Sequence, residues 1–428
     1  MKPENAIQLL RAAEGDEEKL TLNAVEIAIA ARPGIPPGQL RDAVYAAAVP
    51  VWFDAASLGA LLDIPVGDAK GLYAVIRRFA FVENFAGRNA SGIHERTRLG
   101  LLRWLMREQA DRFCALSRRA AEYCQSSREP HVRISWIYHL LVAEPVHSTR
   151  RLAALCDEWT AEGRFERLQT LAAAVGEHLA ENRLAGPARA AALEITATIE
   201  ARYQSLTEIE NRLGCALDLY RELGDETAES VVLSKIGGVQ REDGRFDDAL
   251  QSLKLSLAIR QRLAALDPRN FARQQDLSDG YARIGEVQLD QGYLEAALQS
   301  FQTALAIHEK LAADDPANVE WQRGVSQVHD WIGEVHRMSG RGDAALGSFH
   351  TALMIREHLA GRDPANTEWQ RELSMSHDHI GGVQRDQGRL ADAERSFETA
   401  LAIREKLTAP DPRIPGRSCD LQSSFRRA

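Results

Sequence analysis

A unit of 48 residues recurs between residues 229 and 408 of this sequence. One marker is an Ile-Gly-x-Val tetrapeptide that begins at positions 236, 284, 332 and 380, and a second is an Asp-Pro pair that begins at positions 267, 315, 363 and 411. A fixed period of this size is typical of solenoids, in which each unit buries its apolar side by stacking on the next. The period therefore predicts a solenoid of about four units.

Each unit is predicted to contain two helices. In the third unit, the turn at 315–318 (Asp-Pro-Ala-Asn) precedes a helical stretch from about Glu320 to Met338, which the segment 340–343 (Gly-Arg-Gly-Asp) ends. A second stretch, 344–360, carries apolar residues at helical spacing on one face. Stacked hairpins of this kind predict an all-α superhelix with one concave face.

The residues at fixed offsets resemble the tetratricopeptide repeat. Counted from Ser374 as position 1, Ile380 and Gly381 take the place of that family's Leu-Gly pair, and Gly388 lies at its turn. The small, large and small residues at positions 20, 24 and 27 are Ala393, Phe397 and Ala400. The usual period of the family is about 34 residues. The added residues are predicted to lengthen the first helix and the turn before it.

The resemblance also implies which side chains face the groove formed by the first helix of each unit. The family's usual groove positions (2, 5, 9, 12 and 13) select these candidate partner-binding residues: Arg241, Asp279, Glu286, Asp290, Gln327, Asp330, Glu334, Arg337, Asp378, Arg385 and Asp386. The competing interpretation is a solvated helix face with intrahelical pairs such as Glu334 with Arg337, each worth about 0.2–0.5 kcal/mol. We favour the solvated face for any one residue and the groove for the set.

Breaks in the pattern divide the rest of the chain. The predicted segments are 1–35, N-terminal helices and a linker; 36–125, a winged-helix-like module; 126–228, a helical region with a degenerate repeat; 229–408, the repeats; and 409–428, a disordered tail. The predicted fold class is all-α, a helical-hairpin solenoid preceded by a winged-helix-like and helical region. Within the module we expect helices at 39–48, 55–62 and 68–79, then a hairpin of 81–85 and the segment around Ile93, with Gly87 and Asn89 between them.

A second resemblance covers residues 36–145, which look like the segment after the nucleotide-binding domain in signal-transducing ATPases with numerous domains. It is carried by the stretches at 79–83 (Phe-Ala-Phe-Val-Glu), 93–98 (Ile-His-Glu-Arg-Thr-Arg), 103–105 (Arg-Trp-Leu) and 136–141 (Trp-Ile-Tyr-His-Leu-Leu). The sequence contains no Gly-x-x-x-x-Gly-Lys-Ser/Thr loop to hold phosphates. The resemblance implies, as an alternative function, the sensor arm of a split or truncated ATPase.

The charge distribution bears on nucleic-acid binding. The net charge of −9 disfavours the whole surface as a binder of nucleic acid or of an anionic membrane. Residues 77–133 nevertheless contain twelve arginines against six acids. A second alternative is therefore a DNA-binding regulator that contacts phosphates through this module, with candidates Arg77, Arg78, Arg96, Arg98 and Arg103. We regard nucleic acid as an improbable partner overall.

The sequence gives little support for a metal, cofactor or catalytic site. The five cysteines show no Cys-x-x-Cys spacing, and the common hydrolase, zinc-protease and dinucleotide motifs are missing from the sequence. His377 and His379 flank Asp378, but adjacent helical side chains diverge by about 100 degrees, which favours a half-buried His377 over a metal ligand. Trp321 and Trp369 lie 48 residues apart, which favours packing between units, whereas Trp331 departs from the repeat and is the better surface candidate.

The sequence therefore predicts a non-enzymatic scaffold or sensor that holds a peptide or protein in the groove of its repeats. The start of the chain lacks the order of a signal peptide, and its longest apolar stretch is eleven residues, so we expect a cytoplasmic protein with no membrane partner and no cofactor. Solenoid ends without a polar cap can pair, and self-association through 390–408 is a further option.

Overall fold

The chain is divided into two compact units, Met1–Asp225 and Glu226–Ala428, in a computed structural model that describes residues 3–85, 89–201 and 203–408. Twenty helices and one two-stranded sheet account for the regular structure of the described residues. The predicted all-α class with a helical-hairpin solenoid is confirmed. The predicted tail, 409–428, and Gly87 lie outside the described residues.

The first unit contains twelve helices and the two strands. They are α1 (Pro3–Arg11), α2 (Glu17–Ala30), α3 (Pro37–Ala47), α4 (Ala55–Leu62), α5 (Val66–Ile76), β1 (Val82–Phe85), β2 (Ala90–Ile93), α6 (Glu95–Glu108), α7 (Ala110–Cys124), α8 (Pro130–Ala143), α9 (Pro145–Ala161), α10 (Phe165–Ala180), α11 (Gly186–Glu200) and α12 (Leu206–Leu223).

The module predicted at 36–125 is built from α3 to α7 and the hairpin. β1 and β2 are antiparallel, with Val82 opposite Ile93, and Phe53 forms an isolated bridge to Ser91 at the side of this hairpin. Helix α4 has the predicted bounds, and α5 begins two residues earlier than expected and ends three residues earlier. The elements therefore follow the predicted order, while the winged-helix resemblance and the boundaries of the module remain predictions.

The second unit is the repeat array, four helical hairpins in succession. Its helices are α13 (Glu226–Glu242), α14 (Phe246–Leu266), α15 (Phe271–Asp290), α16 (Leu294–Asp314), α17 (Val319–Met338), α18 (Gly342–Arg362), α19 (Thr367–Asp386) and α20 (Leu390–Thr408). We call α13, α15, α17 and α19 the first helices and the others the second helices. In the third of the 48-residue repeats, the first helix has 20 residues and the second has 21. Four residues, 315–318, separate this repeat from the one before, so most of the 48-residue period lies in the two helices. The lengthening of the first helix and turn relative to the family stays a prediction.

The turns follow from the residue types that recur in them. Asn318 and Asn366 cap the first helices that they precede, each accepting a hydrogen bond from a backbone N–H of the first turn at 3.0–3.1 Å. An asparagine at this place satisfies donors that a helix N-terminus leaves unpaired. Between first and second helix, Gly340 and Gly388 have φ of 70° and 74°, a conformation that other residues adopt at a cost.

The hairpins close on a glycine that faces a ring. A Cβ atom placed on Gly333 would lie 2.6 Å from Cε1 of Phe349, and one on Gly381 would lie 2.9 Å from Cε1 of Phe397. Phe349 is completely enclosed, between Ala345 and Ala352 on the same face of α18. The predicted role of small residues, which lets the two helices approach while the ring fills the space beside them, is confirmed.

Candidate functional site

The first helices of three successive units, α15, α17 and α19, line a groove of about 670 Å³. Its walls carry polar and charged side chains from these helices, and His308, Phe349 and Arg356 reach its floor from the second helices. Side chains from several units meet here because residues 48 positions apart occupy equivalent places on neighbouring hairpins. The groove therefore spans three successive repeats.

Four of the eleven predicted groove residues line this groove. They are Asp279, Gln327, Asp330 and Glu334. Gln327 and Asp279 are exposed, whereas Asp330 is only 8% exposed. The protein around Asp279 displaces water and raises the pKa of its carboxyl, against the opposing effect of Arg260 and Arg283. Asp279 is therefore open to solvent yet surrounded by the groove.

Most of the other predicted residues form ion pairs along the array. Arg241 contacts Glu286 and lies 2.5 Å from Asp290, both in the next unit. Arg337 repeats this arrangement one period further on, where its guanidinium lies 3.0 Å from Asp386. These contacts join side chains that are 45 to 49 residues apart. The predicted pair within one helix, Glu334 with Arg337, is also present, at 2.6 Å. Arg385 lies 3.3 Å from Asp386.

Asp330 is held by a second helix. Its Oδ2 lies 2.6 Å from Nη2 of Arg356, and Arg356 also donates a hydrogen bond to the hydroxyl of Ser376 at 2.8 Å. Asp378 contacts Arg404 in the same way one unit later. Each arginine follows its aspartate by 26 residues. Both aspartates thus tie a first helix to the second helix of its own unit, while their part in partner binding stays a prediction.

The same place on the second helix differs between units. In the first and second repeats this place is occupied by Arg260 and His308. The residue 26 positions earlier is Ser234 in the first repeat and Ala282 in the second, and neither offers a carboxylate. Arg260 instead donates to the backbone oxygen of Asp276, at 2.6 Å. His308 packs on Gly324, where a Cβ atom would lie 2.5 Å from the ring. The aspartate therefore occurs only in the third and fourth repeats, where the second helix carries an arginine, and the arginine of the first repeat has a serine at the corresponding place.

Sequence reasoning missed a cluster of carboxylates around Arg323. The Arg323 guanidinium lies 2.6 Å from both Glu368 and Glu372, in the next unit, and 3.1 Å from Glu320 in its own helix. Glu320 and Glu368 are each 63% exposed at the side chain. These residues lie in the first two turns of α17 and α19, before the family positions used for the prediction. The recurrence of Glu-Trp-Gln-Arg at 320–323 and 368–371 was the available signal.

Trp321 and Trp331 lie where the sequence predicted, and Trp331 also packs against the preceding repeat. Trp321 is buried, and its ring centroid is 6.3 Å from that of Phe271 in the preceding unit, which confirms packing between units. Trp331 lines the groove, as expected of a surface candidate, and also stacks on Phe301 of the preceding unit with ring centroids 5.4 Å apart. His377 is half-buried, and burial lowers its pKa. Among the described residues no group of three or more histidine, cysteine or acidic side chains is arranged to hold a metal ion.

Several arginines of the first compact unit, Met1–Asp225, form ion pairs or hydrogen bonds. Arg96 lies 2.6 Å from Glu17, and Arg103 lies 2.6 Å from Glu181. Arg98 is buried and donates to Glu177 and to the hydroxyl of Tyr138. Three of the five arginines proposed for phosphate contact thus have partners within the protein, although the side chains of Arg96 and Arg103 are 72% and 50% exposed. In the part of the chain described, no helix is both long and apolar enough to cross a membrane.

Comparison with known sequences supports a tetratricopeptide repeat in the last hairpin of the array. Residues 378–412 match the family model described as tetratricopeptide repeat. This match begins in α19 and includes the whole of α20, the first and second helices of the last unit. No curated protein sequence matches the chain significantly.

Solved structures with a similar helical fold include BtubC (BKLC) from P. vanneervenii, at 18% identity, a TM-score of 0.43 and coverage of 66% of this chain and 97% of that one. The apo form of RapI is similar at 14% identity and a TM-score of 0.46, covering 72% of this chain and 76% of that one. These similarities concern the fold and identify no partner. The resemblance to signal-transducing ATPases stays a prediction.

Proposed function

We propose that the protein is a non-enzymatic scaffold or sensor that binds a peptide or a segment of a partner protein in the groove of α15, α17 and α19. The observation that carries the proposal is the groove itself, about 670 Å³ in volume and lined by side chains of three successive units. Repeat arrays use such extended surfaces for binding, because each unit adds a few contacts to the same ligand.

The exposed residues of the groove are the ones to change in a test. Asp330 and Asp378 are unsuitable, because their replacement would break the contacts with Arg356 and Arg404. Asp279 and Gln327 are exposed and line the groove. A variant with Asp279→Arg and Gln327→Arg should block a partner by bulk and charge while leaving the hairpin contacts in place.

The experiment compares three forms of the full chain, namely the wild type, the double variant, and a control with Glu295→Arg and Gln299→Arg. The control residues are exposed on α16 and change the charge by the same amount. We expect a protein that co-purifies from the native cell extract with the wild type and the control, and that is lost from the groove variant. Equal recovery with all three forms, each folded by circular dichroism, would contradict the proposal.

A further inference from the structure

The groove carries an excess of negative charge. Six carboxylates line it against two guanidinium groups, those of Arg323 and Arg356. Both arginines are already engaged, Arg323 by three glutamates and Arg356 by Asp330. The exposed acidic side chains that remain line the same concave surface. Their negative potentials add there and act on any charged group that enters the groove.

The floor of the groove adds an unpaired acceptor. Asp330 is buried, with its side chain 11% exposed, and its Oδ1 has no hydrogen-bond partner, although Oδ2 is bound by Arg356. The nearest cationic candidate is His379, whose Nδ1 lies 3.5 Å from Oδ1 without a hydrogen bond between them. His308 Nδ1 and Arg356 Nε are also buried in this floor without partners. A buried carboxylate oxygen without a donor is costly, and proteins rarely leave one so.

We infer that the groove of α15, α17 and α19 binds a basic segment of the partner, with an arginine or lysine side chain directed at Asp330 and its neighbours bound by Glu320 and Glu368. This inference rests on the groove being the binding surface proposed above, and it adds the chemical class of the ligand.

Arg323 shows how the walls accept such a group. Its guanidinium is bound by Glu320 and by Glu368 and Glu372 of the next unit, at 2.6 to 3.1 Å. One cation among three carboxylates leaves two negative charges uncompensated. Glu320 and Glu368 are mostly exposed, and each carboxylate retains lone pairs that can accept from a second cation.

At the floor, the ring of His379 covers Oδ1. The side chain of His379 is 35% exposed and packs on Phe349, with ring centroids 5.0 Å apart. The proposed contact requires this ring to rotate aside, so that Oδ1 is open to a donor from the groove. Trp331 and Met375, which also line the groove, would then contact the aliphatic part of an arginine or lysine side chain.

The test is isothermal titration calorimetry of the full chain with hexa-arginine amide at about 50 mM NaCl, with hexaglutamate as the probe of opposite charge. We expect saturable binding of hexa-arginine at one site and none of hexaglutamate. The variant with Glu320→Gln and Glu368→Gln should bind about tenfold more weakly, since each change removes one interaction with a cation. Asp330→Asn, which retains an acceptor for Arg356, should also weaken binding, provided that circular dichroism shows it folded.

The matched control carries Glu295→Gln and Glu398→Gln, two exposed acids on second helices outside the groove. It should bind hexa-arginine like the wild type. An equal loss in the control would show that the net charge alone attracts the peptide, and this would overturn the inference. Failure of hexa-arginine to bind, together with a co-purifying protein that still needs Asp279 and Gln327, would overturn the basic ligand and leave the proposed function standing.

Discussion

The Nη2 atom of Arg356 lies 2.6 Å from Oδ2 of Asp330, and the two side chains are only 5% and 11% exposed. This contact joins the second and first helices of the third repeat in a place where little solvent reaches either side chain. Breaking a buried pair by removing one partner leaves an uncompensated charge and is more damaging than replacing both.

Asp330→Ala should therefore lower the free energy of unfolding by about 3–5 kcal/mol. The double change Asp330→Leu with Arg356→Met should recover most of this loss, because it removes both charges together. Urea denaturation of the full chain, followed by circular dichroism, measures both. A single variant as stable as the wild type would show that the contact is not buried as described.

The ion pairs on the surface of the array should behave differently. Arg337 and Asp386 lie 3.0 Å apart, but each is more than a third exposed. Exposed pairs contribute about 0–1 kcal/mol. We expect Asp386→Ala to change the urea midpoint little and to change it less still in high salt. A loss as large as that of Asp330→Ala would contradict this ranking.

The glycine that faces Phe349 should not tolerate a methyl group. Gly333→Ala places a Cβ atom 2.6 Å from the ring, and the resulting overpacking should cost about 1–3 kcal/mol. Gly382 is the control, since a Cβ atom there meets nothing within 4 Å. Gly382→Ala in the interior of α19 should stabilise by up to about 1 kcal/mol, through helix propensity. Thermal denaturation of the two variants should therefore shift in opposite directions.

Two buried histidines should make the first unit sensitive to acid. Burial is the main cause that lowers the pKa of both His139 and His178 to about 3; the positive charge of Arg98 adds to it at both rings, and that of Arg183 at His178. The unfolded chain binds these protons near pH 6.5, so stability is fully present above that value and is lost as the pH falls towards 3. We expect the melting temperature to fall between pH 7 and pH 4.5.

His178→Gln should make that dependence shallower, because it removes one of the two groups that take up a proton on unfolding. His147→Gln, at an exposed position of α9, is the control and should leave the slope unchanged. Thermal scans of the full chain at several pH values measure the slope. The same slope in His178→Gln as in the wild type would mean that this histidine is not held neutral in the folded protein.

Much of the repeat unit could be predicted from the sequence. The 48-residue period located the hairpins, Gly340 and Gly388 located the turns, and the small residues around Phe349 and Phe397 located the closest approach of the helices. These features are local or repeat at a fixed interval, so the residue types alone carry the information. The fold of the first compact unit, Met1–Asp225, was harder to predict from the sequence, because its helices do not recur at a fixed interval.

The residues of the groove could be predicted only in part from the sequence. Family positions led to Asp279 and Gln327, which are exposed there, but equally to Asp330, which is buried against Arg356, and they passed over Glu320 and Glu368. Whether an acid on a first helix faces solvent depends on the residue that another helix places beside it, 26 or about 48 positions away.

The sequence by itself thus determined the architecture of the array, because hairpin formation and stacking depend on helical periodicity, turn residues and small-to-large packing within each unit. Only the tertiary structure decided which charges are paired and which remain open in the groove. Electrostatic pairing is settled by distances of a few ångströms between side chains on different helices, and a repeat pattern constrains these distances too weakly to distinguish a buried pair from a free carboxylate.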